Sequence, residues 1–225
     1  HTSRMKHFPV SRRNFLGTAI AFPFVARTSW AIGPNDRIRH VSFGANGMAG
    51  ADLNNISGHA HVTMHATAEI DPSRATGFSK KHPKAKIYTD WRKLLDQEAK
   101  NFDTANVSTP DHMHAPIAMS AMQLGKHVYV QKPLTHEVYE SRRLREFASE
   151  NGLVTQMGIQ VHSSAVYQLA AKLVHTGAIG KVTEVHTWSN KKWGDMVPRP
   201  DRADPIPKNL NWNHWCGVAP KAPYL

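Results

Sequence analysis

Gly44-Ala45-Asn46-Gly47-Met48-Ala49 stands between a β-rich run and an amphipathic stretch. A dinucleotide pyrophosphate needs a tight turn, close approach of the backbone and a helix N-terminus aimed at its charge. The segment offers these as G-x-N-x-x-A, against the fingerprint G-x-G-x-x-G/A. Gly44 supplies the turn, Asn46 stands where the second glycine belongs, and Ala49 is an accepted third residue. Gly47 and Met48 complete the cofactor-binding turn. Asn tolerates positive φ better than most residues. Its side chain would crowd a phosphate unless it points away or bonds to one. An acid should follow to hold the adenosine ribose hydroxyls, and Glu69 closes the next β-rich run 25 residues after Gly44. A carboxylate there favours NAD over NADP, because it repels a 2′-phosphate, while Arg74 nearby leaves NADP open. Asp71 reads as a helix N-cap rather than a ribose ligand.

These residues need a frame, and the chain alternates short β-rich runs with longer amphipathic stretches, the sign of βαβ units and a parallel sheet. Strands are expected at residues 37–43, 62–70, 86–88, 102–107, 127–130 and 153–157. Helices are expected at 49–58, 71–81, 90–99, 110–124, 135–151 and 164–175. Gly125 and Gly152 stop two of these helices. Residues 181–189 (KVTEVHTWS) alternate and read as the first strand of a second, more antiparallel region. From 191 to 225 the chain is rich in Pro, Trp and Asn and has no clear period.

At 225 residues and 25.1 kDa the chain has room for one full domain and part of another. Its 40% hydrophobic and 20% charged content exclude a disordered chain and a multi-span membrane protein. The lone cysteine, Cys216, excludes an intrachain disulfide and a Cys-rich zinc site. The net charge of +11 first suggests a nucleic-acid partner. Residues 1–31, however, hold Arg4, Lys6, Arg12, Arg13 and Arg27 and no acid. In the remainder, 23 bases face 17 acids without a dense basic stripe, so no nucleic acid is expected.

Ser11-Arg12-Arg13-Asn14-Phe15-Leu16-Gly17 is followed by an apolar run over residues 18–26 and small residues at Ser29 and Ala31. The run is too short to span a membrane, so no stable anchor is expected. The pattern resembles a twin-arginine export signal, S-R-R-x-F-L-x. It implies cleavage near Ala31 and a periplasmic or exported location. That route carries folded proteins and suits one that takes up its cofactor before leaving the cytoplasm.

Ser108-Thr109-Pro110-Asp111-His112-Met113-His114-Ala115-Pro116 is followed by Gly125-Lys126-His127-Val128-Tyr129-Val130-Gln131-Lys132-Pro133-Leu134. This pair of blocks resembles the Gfo/Idh/MocA oxidoreductase family: a strand ending in T-P, a helix carrying a His, then G-K-H-V-x-x-E-K-P-L. The likeness covers about residues 37–190. It extends to Leu210–Tyr224, which is similar to the L-x-W-x-x-W-x-G-x-A-P-x-x-P-Y segment of an exported bacterial branch. The resemblance implies a Rossmann-type doubly wound parallel sheet over 36–157. It implies an α/β domain with an open, mostly antiparallel sheet that begins at 158 and is incomplete at 225. It also implies a nicotinamide cofactor and a sugar- or polyol-like substrate, with an oligomer contact through the open sheet.

By position, the resemblance makes Lys132 the catalytic lysine beside the nicotinamide and the reacting hydroxyl. An ammonium there stabilises developing alkoxide and can shuttle the proton. Pro133 is expected to follow a cis peptide. Thr109 and Pro110 should line the cofactor near the nicotinamide ribose, with His114 as the family's helix histidine and Gln160 near the nicotinamide end. Gln131 departs from the usual Glu: its amide can still bond the lysine or the cofactor, and Gln131→Glu is expected to be tolerated. His112 and His114, two residues apart, do not converge on one helix face, so no metal pair is expected.

The further acid and histidine that commonly complete the family's catalytic set would lie beyond Leu225. The chain therefore reads as a truncated form, inactive alone, whose Trp188, Trp193, Trp212 and Trp215 lack much of the sheet they should pack on. The expected function is hydride transfer between NAD(P) and a sugar-like alcohol. The alternatives are an NAD-dependent glycosidase of the same superfamily and a non-catalytic sugar- or nucleotide-binding module.

Overall fold

The computed structural model describes residues 37–191 and 197–225. The segment read as an export signal and Trp193 lie outside them. Six parallel strands form one sheet: β1 (Ile38–Phe43), β2 (Val62–Ala68), β3 (Lys86–Tyr88), β4 (Thr104–Val107), β5 (His127–Gln131) and β6 (Thr155–Gly158). Their order is β3-β2-β1-β4-β5-β6. The chain winds outward from β1 in one direction and returns to build the other half from β4. The crevice beyond the C-terminal ends of β1 and β4 is therefore the topological switch point, where doubly wound sheets bind ligands.

The helices are α1 (Met48–Ser57), α2 (Thr76–Lys81), α3 (Trp91–Glu98), α4 (His114–Gln123), α5 (Val138–Glu150) and α6 (Ala165–His175), with α7 (Trp212–Cys216) in the tail. Their starts follow local chemistry. Asp71 accepts from the Ser73 amide and Pro72 opens a 3₁₀ turn into α2, as its N-cap reading requires. Asp90 caps α3, and Glu137 with Glu140 forms a capping box on α5. Gly125 (φ 72°) and Gly152 (φ 63°) end α4 and α5 in the left-handed region. Both faces of the central strands are covered. Val41, Phe43, Val107, Val128 and Val130 pack with Leu94, Phe102, Ile117, Met122 and Leu144 in one core.

Residues 181–189 form no strand and are exposed throughout. Alternation alone does not make a strand: the backbone donors and acceptors need a partner ladder, and among the described residues none runs beside this segment. The antiparallel sheet is accordingly not seen there, and Trp188 is 87% exposed. The tail is more ordered than its lack of period suggests. The Asp204 amide donates to the Tyr224 carbonyl (2.8 Å) and Trp212 Nε1 to the Ala222 carbonyl (2.7 Å). Trp212 and Trp215 stack at 4.6 Å, and Cys216 is buried. These tryptophans thus find partners in each other and in the Rossmann unit.

Candidate active site

The turn after β1 is built by Gly44 at φ 100° and Gly47 at φ 59°. A Cβ on Gly44 would lie 2.9 Å from the Ser108 carbonyl oxygen and 3.0 Å from Ala49 Cβ. Gly44 thus lets the β1 turn close against the end of β4, and Ala49 is buried beneath it. α1 starts with no side-chain cap and no acid in its first turn. Its N-terminal amides and the positive end of its dipole face the crevice, which suits an anion. Asn46 resolves the crowding question by folding back, its Oδ1 accepting from the Gly47 amide at 2.7 Å.

Glu69 reaches the same turn. Its Oε2 accepts from the Ala45 amide (3.1 Å) and its Oε1 from the Asp71 amide (3.3 Å). The carboxylate is thereby held at the end of β2, beside the crevice. Asp71 is turned elsewhere, to Ser73 and to Asn209 of the tail (2.7 Å). The Ser73 hydroxyl, with Asn209 adding to it, holds the Asp71 carboxyl below its ordinary range. Arg74 comes close to Gly47, with Nη2 3.6 Å from where a Cβ would stand.

Gly44, Asn46, Gly47, Met48, Glu69 and Arg74, with Ser108, Thr109 and Pro110 from the end of β4, line one cleft of about 660 Å³. That volume suits a small-molecule site. Thr109 Oγ1 is buried without a hydrogen-bond partner in its wall. A buried hydroxyl left unpaired is costly and suits a site that a polar ligand completes. The uncapped helix, the acid at the β2 end and the orphaned hydroxyl together fit a dinucleotide. Gln160 lies next to the turn, its Nε2 3.8 Å from Met48 Sδ.

Two expected cofactor residues are placed otherwise. His114 is 1% exposed, with Nδ1 2.6 Å from the Pro133 carbonyl and Nε2 2.9 Å from the Thr109 carbonyl. Both ring nitrogens face backbone carbonyls, so His114 sits between the T-P turn and the K-P loop and is not among the residues that line the cleft. Gln131 is also buried and faces away: its Nε2 lies 3.1 Å from both Oδ atoms of Asp52, and its Oε1 accepts from the Lys132 amide at 3.0 Å. Lys132 itself stands exposed at the C-terminal end of β5, before the cis Lys132–Pro133 bond, and its ammonium makes no hydrogen bond or ion pair among the described residues. His112 turns to the tail, its Nε2 2.8 Å from the Trp215 carbonyl. Among the described residues no His/Cys/Asp/Glu group could hold a metal ion.

The outer wall of the cleft is not legible in the sequence. Leu210, Trp212, Trp215 and Tyr224 of the tail line the cleft together with the glycine turn. The aromatic spacing of the tail is visible, but nothing local to it says which surface it covers. Asp52 carries no signal either, since its partners Ser108 and Gln131 are 56 and 79 residues away.

Curated relatives match the Rossmann part. A levoglucosan dehydrogenase from Pseudarthrobacter phenanthrenivorans is 28% identical over 127 residues, 54% of this chain and 32% of that protein. A dTDP-3,4-didehydro-2,6-dideoxy-alpha-D-glucose 3-reductase from Streptomyces violaceoruber is 40% identical over 86 residues, 38% of this chain and 25% of that protein. The chain thus spans about a third or less of the length of these two relatives. Among solved structures, scyllo-inositol dehydrogenase from Lactobacillus casei with bound NAD(H) and scyllo-inositol superposes with a TM-score of 0.58 at 20% identity. That match covers 64% of this chain and 42% of that one, and at such identity it shows the fold. The profile described as "Oxidoreductase family, NAD-binding Rossmann fold" matches residues 38–159, more than half of the chain. The chain belongs to this family, the Gfo/Idh/MocA oxidoreductases.

Proposed function

We propose that the chain holds a nicotinamide dinucleotide, NAD(H) in preference to NADP(H), across the β1/β4 crevice. We further propose that it serves hydride transfer at a sugar- or polyol-like alcohol. The observation that carries this is the convergence of the uncapped α1 N-terminus, the Glu69 carboxylate and the unpaired Thr109 hydroxyl on one cleft. The names of the relatives, a levoglucosan dehydrogenase and a deoxysugar reductase, support the substrate class.

The α1 amides would hold the pyrophosphate, Glu69 the adenosine ribose hydroxyls, and Thr109 with Pro110 the nicotinamide half. When bound, the nicotinamide accepts or supplies the hydride. Lys132 Nζ, engaged by no neighbour among the described residues, would donate a hydrogen bond to the substrate oxygen, stabilise charge developing there and take or return its proton. Calorimetric titration with NAD and NADP tests the binding half. NAD should bind more tightly, and Glu69→Ala should weaken it by about 1–3 kcal/mol through loss of charge-assisted hydrogen bonds. Failure of both dinucleotides to bind would overturn the reading. Lys132→Ala in the active protein should lower turnover about a hundredfold or more with little change in dinucleotide affinity.

The segment from Ser11 to Gly17 supports export by the twin-arginine route. Changing Arg12 and Arg13 together to Lys should retain the protein in the cytoplasm, and continued export of that variant would remove the proposal.

A further inference from the structure

Beneath Lys132 runs a buried polar chain that crosses four elements. Thr104 Oγ1 lies 2.7 Å from His40 Nδ1, and His40 Nε2 lies 3.0 Å from Asn106 Oδ1. Asn106 Nδ2 donates to Ser108 Oγ (2.9 Å), and Ser108 donates to Asp52 Oδ2 (2.7 Å). From the other side Gln131 Nε2 donates to both Asp52 oxygens, while Gln131 Oε1 accepts from the Lys132 amide. His40, Asn106, Asp52 and Gln131 are each less than 8% exposed.

Donation along this chain converges on Asp52. Every contact Asp52 makes is one that a carboxylate accepts, and donors reach it from both ends. An amide has a donor end and an acceptor end, and a carboxylate satisfies only the donor end. Asp52 therefore settles which way the Gln131 amide faces, and the oxygen is left for the Lys132 N–H. Gly158 of β6 makes room for this arrangement: a Cβ there would lie 3.0 Å from Gln131 Cδ and Nε2 and 2.7 Å from the Tyr129 hydroxyl. Tyr129 faces the same charge, and its phenol is pushed up by burial and then by Asp52.

We infer that Asp52 is a positioning residue for Lys132, acting through the Gln131 amide, so that the two side chains form one unit sharing a single negative charge. This gives the departure from the usual Glu at position 131 a physical reason. With a carboxylate at 52, a second one at 131 would stand about 3 Å away with no donor between them. The expected tolerance of Gln131→Glu does not survive this geometry. The role in catalysis rests on the assignment of Lys132 above; the positioning does not.

The test is a charge-transposition cycle in the chain itself: Asp52→Asn, Gln131→Glu and the two together. It is followed by thermal unfolding and by amide hydrogen exchange, neither of which needs cofactor or turnover. Gln131→Glu should lower the melting temperature near neutral pH and regain it as the pH falls into the carboxylate range. Asp52→Asn frees the Gln131 amide to turn, so exchange at the Lys132 N–H should quicken roughly tenfold, the worth of one hydrogen bond. The amides of Val128 and Val130 should be unmoved. The double exchange moves the carboxylate to position 131, where it can accept from both the new amide at position 52 and the Lys132 N–H. It should restore the melting temperature and the protection at Lys132. If Asp52→Asn does not fold, the double exchange alone decides: a folded protein with a protected Lys132 amide supports the unit. A Gln131→Glu protein as stable as the parent would overturn the inference. So would a double exchange no better than Gln131→Glu, or β5 amides that all quicken together. In the active protein the cycle should move kcat and not the KM for dinucleotide. A chain that obeys the exchange cycle yet binds no dinucleotide would leave the positioning standing and remove only the oxidoreductase reading.

Discussion

Gly44 is the residue on which the cleft turns. At φ 100° a side chain is strained, and its Cβ would press on the Ser108 carbonyl at 2.9 Å, a backbone atom that cannot swing aside. Gly44→Ala is expected to cost about 2–4 kcal/mol, from left-handed strain plus overpacking. It should part the β1 turn from the β4 end and weaken dinucleotide binding with it. Urea unfolding and calorimetry check both effects, and a loss below about 0.5 kcal/mol would sink this account of the turn. Gly44 and Glu69 are legible in the sequence as neighbours because a glycine turn after one strand and an acid closing the next have a characteristic spacing along the chain. His114 and Gln131 are legible as positions but not as roles. Their partners, the Pro133 carbonyl and Asp52, come from other elements, and only the folded sheet brings them within 3.1 Å. Asn46 shows the converse: its fold-back onto Gly47 is local, and pointing away from a phosphate is one of the two choices its position allows.

The element that changes the picture of the cleft is the tail. α7 is only five residues long, capped by Asn211, and the tail is held to the turns after β2 and β4 through Asn209–Asp71 and His112–Trp215. Gly217 ends it at φ 57°, and a Cβ there would lie 2.1 Å from Sδ of Met113, which is itself buried. Gly217→Ala should therefore lift α7 from the cleft and expose the half-buried Trp212 and more of Trp215, which is 38% exposed already. Tryptophan emission should shift to the red without loss of the melting transition of the sheet; unchanged emission would count against the tail as a wall. The strands and helices of the Rossmann unit are readable to within a few residues, since caps, C-terminal glycines and apolar runs are local signals. Residues 181–189 have the same strand-like alternation and no ladder. α6 likewise carries Val166, Leu169 and Leu173 at helical spacing, yet none is buried. Pattern gives an element's inclination; a partner surface decides whether it forms or docks.

At the scale of the whole molecule, Glu98 and His40 are two buried groups, among the described residues, whose titration weakens the fold in acid. Glu98 is 1% exposed and bonds His65 (2.6 Å), Lys86 (2.6 Å), Tyr88 (2.5 Å) and Asn101 (3.0 Å). Burial alone would push its carboxyl up, but these hydrogen bonds outweigh it and hold the group well below the usual carboxylate range. Burial, with Glu98 adding to it, takes the Tyr88 phenol up to about 12. His40 behaves oppositely to a paired histidine. Burial lowers it to about 4 from 6.5, against a smaller upward pull from Asn106. The unfolded chain therefore binds this proton at a higher pH than the folded one. Stability from His40 is complete above about pH 6.5 and is lost as pH falls toward about 4, a loss of about 3 kcal/mol. Glu98 has the same sign in a lower window: its contribution is complete above about pH 4.3 and falls away only below that. Acid should thus weaken the fold in two stages, the histidine first. His82 is also lowered, by partial burial and then by Lys81, so some slope in the upper window belongs to it. His40→Leu removes the titrating ring and leaves the Asn106 and Thr104 groups short of a partner, so the variant should be less stable at every pH. Its stability should nevertheless change far less than the parent's between about pH 6.5 and 4, while the decline below that range persists. Urea unfolding at a series of pH values reads this directly. A His40→Leu protein with the parent's slope in the upper window would show that the acid response comes from elsewhere in the molecule.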